Sequence, residues 1–330
     1  MPMPSPGSEI RIHSEMTAEP DLSVEVAGIR FRTPLIAASG TFGYGTEYLE
    51  VADYDAIGGI AVKGLYLAPR EGAPPPRIWE TPSGMLNAIG LQEVGIERFV
   101  EEKMPRLREL GVAILVNICG STLEEYAELA RILDNVEGVS GIEMNISCPN
   151  VHQGGILFGC DPLMAASVTE AVRARTSLPV IPKLTPNVTD IGVVARAVEA
   201  AGASAISLIN TIPAMAIDVE TRKPRLANVV GGLSGPAIRP IAVRLVHQAR
   251  QAVRIPILGI GGITNHEDAL EFILAGAAAV QIGTMSFVDP SVWKRTRDGL
   301  ADYCRRHRVG SLSSLTGTLV ADVKAVPQGW

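Results

Sequence analysis

Two lysines close apolar runs in this chain: Lys63 ends IAVK and Lys183 ends VIPK. One such lysine can lay its stem along apolar surface and keep its ammonium in water. Two converging on one site suggest more, because a buried ammonium costs several kcal/mol unless an opposite charge faces it. An anionic ligand supplies that charge, as does a flavin, which gathers negative charge along N1 and O2 when reduced. Asn87, Asn117, Asn145, Asn150 and Asn210 form a second group. Singly, each reads as a cap or turn former. Together, five amides at one end could read a flat ring bearing imide or carboxylate groups.

Cys148 sits in NISCPN, just after an apolar run and before Pro149. It reads as a small buried hydrophobe or, among these amides, as a thiolate base whose free value near 8.5 needs modest lowering. His152 is the competing base, and spacing does not choose between them. The segment VHQGGILFGC, with Gly154, Gly155 and Gly159, is consistent with a lid. Farther on, GIGGITNHEDA and QIGTMSF place the backbone N–H groups of Gly261, Gly262, Gly283 and Thr284 after the last two apolar runs. In isolation these are plain turns. At the mouth of a barrel they make a phosphate cradle needing no basic side chain, since aligned amides and a helix dipole supply the positive potential.

The elements that must carry these residues follow a rhythm. Val- and Ile-rich runs recur at Leu35–Ala38, Ile57–Lys63, Val112–Ile118, Gly141–Ile146, Val180–Leu184, Ala205–Ile209, Ile255–Ile260 and Ala278–Ile282. Between them lie helix-length segments. Thr122 opens TLEEYAELARILDNV with Glu125 as capping-box partner, and Pro162 stands just inside the start of DPLMAASVTEAVRARTS. Asp190–Ala201, Pro236–Val253, Asn265–Ala275 and Ser291–His307 read the same way.

Eight strands alternating with about eight helices predict an α/β chain folded as a closed (β/α)8 TIM barrel, with chemistry at the strands' carboxyl ends. A doubly wound sheet fits less well: GTFGYGTEY is not G-x-G-x-x-G, and Lys63 rather than an acid closes the second strand. A short hairpin turning at Ala27–Gly28 should precede the barrel. WETPSGMLNAIGLQ should be an insertion over its mouth, with extra strands near 218–230. The expected organisation is a tail over 1–20, one barrel domain over 21–310 and an extension over 311–330. The basic SVWKRTRDGLADYCRRHRV reads as a partner-facing or a solvated helix.

Composition narrows the classes. The chain has 330 residues, with 35 acidic against 29 basic and a net charge of -6, which gives no support to nucleic-acid binding. With 47% hydrophobic and 19% charged residues it is not a wholly disordered chain. No apolar stretch approaches the length of a membrane span, and the N-terminus lacks a signal-peptide pattern. The four cysteines Cys119, Cys148, Cys160 and Cys304 form no CxxC pair. They predict free thiols and a cytoplasmic location.

From Leu22 to Gly299 the chain resembles the catalytic subunits of class 1B dihydroorotate dehydrogenase, flavoproteins of pyrimidine biosynthesis. The landmarks are ASGTFGYGTEY, WETPSGMLNAIGLQ, NISCPNVHQGG, KLTPNVTDI, AIDVETRKPRLANVVGGLSGPAI and GIGGI. The resemblance implies FMN as cofactor and oxidation of dihydroorotate to orotate. Cys148 would take the C5 proton and FMN N5 the C6 hydride. Lys63 would contact substrate and flavin, and Lys183 would face the flavin N1/O2 edge. Asn87, Ile89, Gly90, Leu91, Asn145, Asn150, Asn210 and Thr211 would hold the ring and its carboxylate. Ala38, Ser39, Gly64, Asn117, Ile209, Gly235, Gly261, Gly262, Gly283 and Thr284, with Lys63, Asn145 and Lys183, would hold FMN.

Class 2 enzymes use a serine base and an N-terminal membrane element, against which Cys148 and the missing apolar helix argue. The resemblance also implies a homodimer within a heterotetramer, completed by a subunit carrying FAD and a [2Fe–2S] cluster that passes electrons to NAD⁺. Thr185, Ile212-Pro213-Ala214 and Cys119 depart from the family pattern, the tripeptide in a loop expected over the ring. Two other readings compete. One is a dihydropyrimidine dehydrogenase-like enzyme acting on uracil or thymine, which would need no pocket for a ring carboxylate. The other is a non-catalytic barrel that binds a phosphorylated metabolite.

Overall fold

A computed structural model of the chain describes residues 19–147 and 158–320. Two short strands, β1 (Val24–Val26) and β2 (Ile29–Phe31), form an antiparallel hairpin. Its two-residue turn has positive φ at both Ala27 (53°) and Gly28 (80°), the conformation that matches strand twist in a tight hairpin. The hairpin's buried Val24, Val26, Ile29 and Phe31 pack on inward-facing barrel residues, among them Ile36, Ala61, Leu115, Ile181 and Leu258. That contact closes the end of the barrel opposite the strands' carboxyl termini.

The chain then runs through β3 (Leu35–Ala37), β4 (Gly59–Ala61), β5 (Ile78–Thr81), β6 (Gly84–Asn87), β7 (Ala113–Ile118), β8 (Gly141–Asn145), β9 (Val180–Leu184) and β10 (Ile206–Leu208). It continues through β11 (Ile212–Ala214), β12 (Ile217–Asp218), β13 (Lys223–Pro224), β14 (Gly231–Ser234), β15 (Ile257–Ile260) and β16 (Ala279–Ile282). Strands β3, β4, β7, β8, β9, β10, β15 and β16 close in that order into a parallel barrel. Each falls inside one of the eight apolar runs. The strands are shorter than several of those runs, so Lys63 lies two residues beyond β4.

Around the barrel stand α1 (Ile96–Arg98), α2 (Met104–Arg108), α3 (Leu123–Leu133), α4 (Pro162–Arg173), α5 (Ile191–Ala200), α6 (Arg239–Ala252), α7 (His266–Ala275), α8 (Met285–Val288) and α9 (Val292–His307). Helix α3 begins where its cap predicts: the Thr122 hydroxyl accepts from the Glu125 N–H at 3.2 Å. The Glu125 carboxylate reaches back to the Ser121 N–H, one residue earlier than a regular capping box. The expected helix over Pro236–Val253 starts as a 3₁₀ turn, Pro236–Ile238, before α6. Between α1 and α2 the chain winds as a π-helix over Phe99–Lys103, where Pro105 withholds the N–H that would bond to Glu101.

The insertion expected over the mouth is a hairpin, β5–β6, and not an irregular loop. It joins β14 and β11 in a four-stranded antiparallel sheet. The departing tripeptide Ile212-Pro213-Ala214 is strand β11 of that sheet, not a loop over the ring. The extra strands sought near 218–230 are β12 and β13, with β14 just beyond. Downstream of α9, Leu312 is buried, its N–H bonds to Asp21 at 2.9 Å, and Gly317 bonds to the Ile273 carbonyl at 2.9 Å. Among the described residues no helix is long and apolar enough to cross a membrane.

Candidate active site

The carboxyl ends of the barrel strands and the four-stranded sheet above them enclose a cavity of about 240 Å³. Its wall takes Ala38 and Ser39 from the end of β3, Lys63 and Gly64 from beyond β4, Asn117 from β7, Asn145 from β8 and Lys183 from β9. Ile209, Asn210 and Thr211 follow β10, Gly261 and Gly262 follow β15, and Gly283 and Thr284 follow β16. The covering sheet and its flanks add Asn87, Ile89, Leu91 and Gly235. The wall also includes Thr41, at the end of the first barrel strand, and Ile78, Met85, Ser234 and Phe287, which the sequence reading did not single out. Gly90 is not on this wall; it packs against the backbone of Gly72 and Ala73. Cys148, Asn150 and His152 lie outside the described residues.

Hydrogen bonds fix the amides. The Asn145 side-chain carbonyl accepts from Asn210 Nδ2 at 3.3 Å and from the Ser147 N–H at 3.3 Å. Asn210 Oδ1 accepts from the Thr211 N–H at 2.8 Å, and Asn87 Nδ2 donates to the Gly232 carbonyl at 3.2 Å. Ser147, the last described residue before Cys148, donates its hydroxyl to the Lys183 carbonyl at 3.1 Å.

The electrostatics favour an anion. Among the described residues the wall holds two lysines and no carboxylate. Burial, with the Arg77 guanidinium nearby as a second cause, holds the Lys63 ammonium below the ordinary lysine value. Lys183 is only 7% exposed, and its Nζ lies 3.9 Å from Glu143 Oε2. Glu143, itself sealed from solvent, also accepts from Asn117 Nδ2 at 2.7 Å and from Gln281 Nε2 at 2.6 Å. Sequence reasoning missed both Glu143 and Gln281. The signal was present, since an acid in GIEMN and an amide in AVQI interrupt otherwise apolar strands.

The glycine turns have the form an anion cradle needs. Gly262 has φ +78°, and a Cβ there would stand 2.8 Å from the Gly235 carbonyl oxygen and 2.9 Å from the Arg239 nitrogen. The N–H groups of Gly262, Gly283 and Thr284 meet no acceptor among the described residues. The 3₁₀ turn leading into α6 begins beside them at Pro236. Residues present, charge and exposed amides therefore all fit a phosphate-bearing, electron-accepting cofactor such as FMN.

Comparison with known proteins gives the lineage. A family model described as dihydroorotate dehydrogenase matches residues 21–303. The chain belongs to the dihydroorotate dehydrogenase family. A relative from Geobacter sp. (strain M21), named dihydroorotate dehydrogenase B (NAD(+)), catalytic subunit, is 57% identical over 300 residues, covering 91% of this chain and 98% of that protein. Proteins of the same name from Geotalea daltonii and Geobacter sulfurreducens are each 56% identical, over 92% and 91% of this chain and 99% of each relative. Within the family the chain thus falls with the class 1B catalytic subunits. The fold also matches a crystal structure of DHODH in complex with ferulenol from Eimeria tenella, with a TM-score of 0.75 over 92% of this chain and 89% of that one, at 20% identity.

Proposed function

We propose that this cavity is where the chain, a class 1B dihydroorotate dehydrogenase catalytic subunit, oxidises dihydroorotate to orotate. One observation carries the reading: a cavity free of carboxylates among the described residues joins two lysines, four amides and a glycine cradle whose N–H groups meet no protein acceptor among those residues. Ser39, Gly64, Asn117, Ile209, Gly235, Gly261, Gly262, Gly283 and Thr284 would hold FMN, the last four with Gly235 on its phosphate. When bound, FMN supplies the acceptor for the C6 hydride.

The chain's own groups do the rest. Lys63 places a positive charge for the ring carboxylate, and a less hydrated ammonium in a half-buried site binds an anion more strongly than one in water. Asn87, Asn145 and Asn210, locked by their own hydrogen bonds, present fixed donors and acceptors to the ring. Leu91 and Ile89 exclude water from that side. Cys148, one peptide beyond the Ser147 anchored to β9, takes the C5 proton as a thiolate, with Asn150 completing the amide set. Lys183 faces the flavin edge where charge gathers.

Electrons leave through a partner. The relatives named above are catalytic subunits of NAD(+) enzymes, which supports a second subunit, and an FAD/[2Fe–2S] protein in a heterotetramer built on a homodimer fits that role. The cytoplasm is the matching location. The distinguishing test is competition at the purified, FMN-loaded chain: orotate should perturb the flavin spectrum saturably, whereas uracil, lacking the ring carboxylate, should not. Equal binding of uracil would move the function to another pyrimidine.

A further inference from the structure

Glu143 lines no part of the cavity, yet it touches two residues that do. Its carboxylate is fully buried on the inward side of β8, with Oε2 2.7 Å from Asn117 Nδ2 and 3.9 Å from Lys183 Nζ, and Oε1 2.6 Å from Gln281 Nε2. Folding alone gives no reason for this group. Burying an ion pair carries a desolvation cost that its attraction often fails to recover, and apolar residues of similar size often serve as well or better.

We infer that Glu143 is a positioning residue that sets both the orientation of the Asn117 amide and the effective charge that Lys183 presents to a bound flavin. This rests on the reading of the cavity as an FMN site. An ionised carboxylate only accepts hydrogen bonds, so both neighbouring amides must turn their NH₂ groups toward it. That leaves the Asn117 carbonyl oxygen on the opposite side, facing Cys119 and the cavity-wall residue Gly64. The same carboxylate offsets part of the Lys183 charge. A lone buried ammonium would favour the reduced, negatively charged flavin more strongly than an ammonium that shares its field with Glu143. Glu143 therefore holds the flavin potential down while fixing the position of the lysine.

The test compares the FMN-loaded wild-type chain with Glu143→Gln by spectroelectrochemical titration and by fluorescence measurement of FMN release. Without the counter-charge, reduced FMN should gain roughly tenfold in binding relative to oxidised FMN, a rise of about 30 mV for a two-electron couple. Oxidised FMN should bind roughly tenfold more weakly, because the new amide keeps one acceptor and must set its NH₂ against that of either Asn117 or Gln281. Glu143→Asp, which keeps the charge but withdraws it from both amides, covers the case in which the Gln variant does not fold. It should weaken FMN binding severalfold with the potential unchanged. A Gln variant with wild-type potential, or an Asp variant with wild-type FMN affinity, overturns the inference and leaves the FMN reading intact. A wild-type chain that takes up no FMN overturns both.

Discussion

Asn210 donates from Nδ2 to Oδ1 of Asn145 at 3.3 Å, joining the ends of β10 and β8 across the intervening β9 that carries Lys183. With the Ser147 N–H as its second donor, the Asn145 carbonyl is taken up by protein, which leaves the Asn145 amino group to face a ligand acceptor. Asn210→Ala should release this arrangement without emptying the flavin site. Losing the hydrogen bond of this half-buried amide pair costs about 1 kcal/mol of positioning, so kcat/KM for dihydroorotate should fall roughly fivefold while FMN content stays unchanged. Steady-state kinetics beside flavin absorbance reads both.

The glycine cradle predicts a contrast between two substitutions at similar φ. Gly262→Ala places a methyl group within 3 Å of the Gly235 carbonyl and the Arg239 nitrogen, and should lower stability by about 1–3 kcal/mol and strip FMN from the purified protein. Gly28→Ala, at φ +80° in the hairpin turn with nothing within 4 Å, should cost roughly 1–2 kcal/mol and leave FMN bound. Thermal unfolding and the flavin-to-protein absorbance ratio separate the two.

Much of this site is legible in the sequence because its parts are local. Lys63, Lys183 and the two glycine turns stand at strand ends, and hydrophobic periodicity locates strand ends well. The covering sheet was less legible: β6 pairs with β14 across some 145 residues, and β5–β6 in isolation reads as a Pro- and Gly-rich loop. Ile212-Pro213-Ala214 becomes a strand only because β14 offers it an edge. Glu143 escaped notice because its role depends on which face of β8 points inward, and a short buried strand has no polar face to reveal that.

The Lys63 ammonium is held below the usual lysine value of 10.5, mainly by burial and secondarily by Arg77. Its charged form therefore costs stability in the folded chain, and that cost is relieved as pH rises through the lowered folded value toward 10.5. Ligand binding runs the other way. Orotate affinity should fall as the ammonium is lost at a pH below 10.5, and Lys63→Gln should weaken binding and remove that limb of the pH profile. Isothermal titration of orotate across alkaline pH checks the sign.

Cys148→Ser should keep FMN but lose most of its turnover near neutral pH, with partial recovery as pH rises, since a hydroxyl is far less acidic than a thiol. His152→Asn should turn over nearly normally. The reverse pattern would transfer the base role to His152. Stopped-flow reduction of the bound flavin by dihydroorotate resolves this without a partner subunit.

The most direct test of the account is an anaerobic absorbance titration of the purified, FMN-loaded chain, first with dihydroorotate and then, in a fresh sample, with NADH. Dihydroorotate should bleach the flavin stoichiometrically and NADH should leave it oxidised, because the nicotinamide step is assigned to the proposed partner. Bound flavin that stays oxidised in excess dihydroorotate would contradict it.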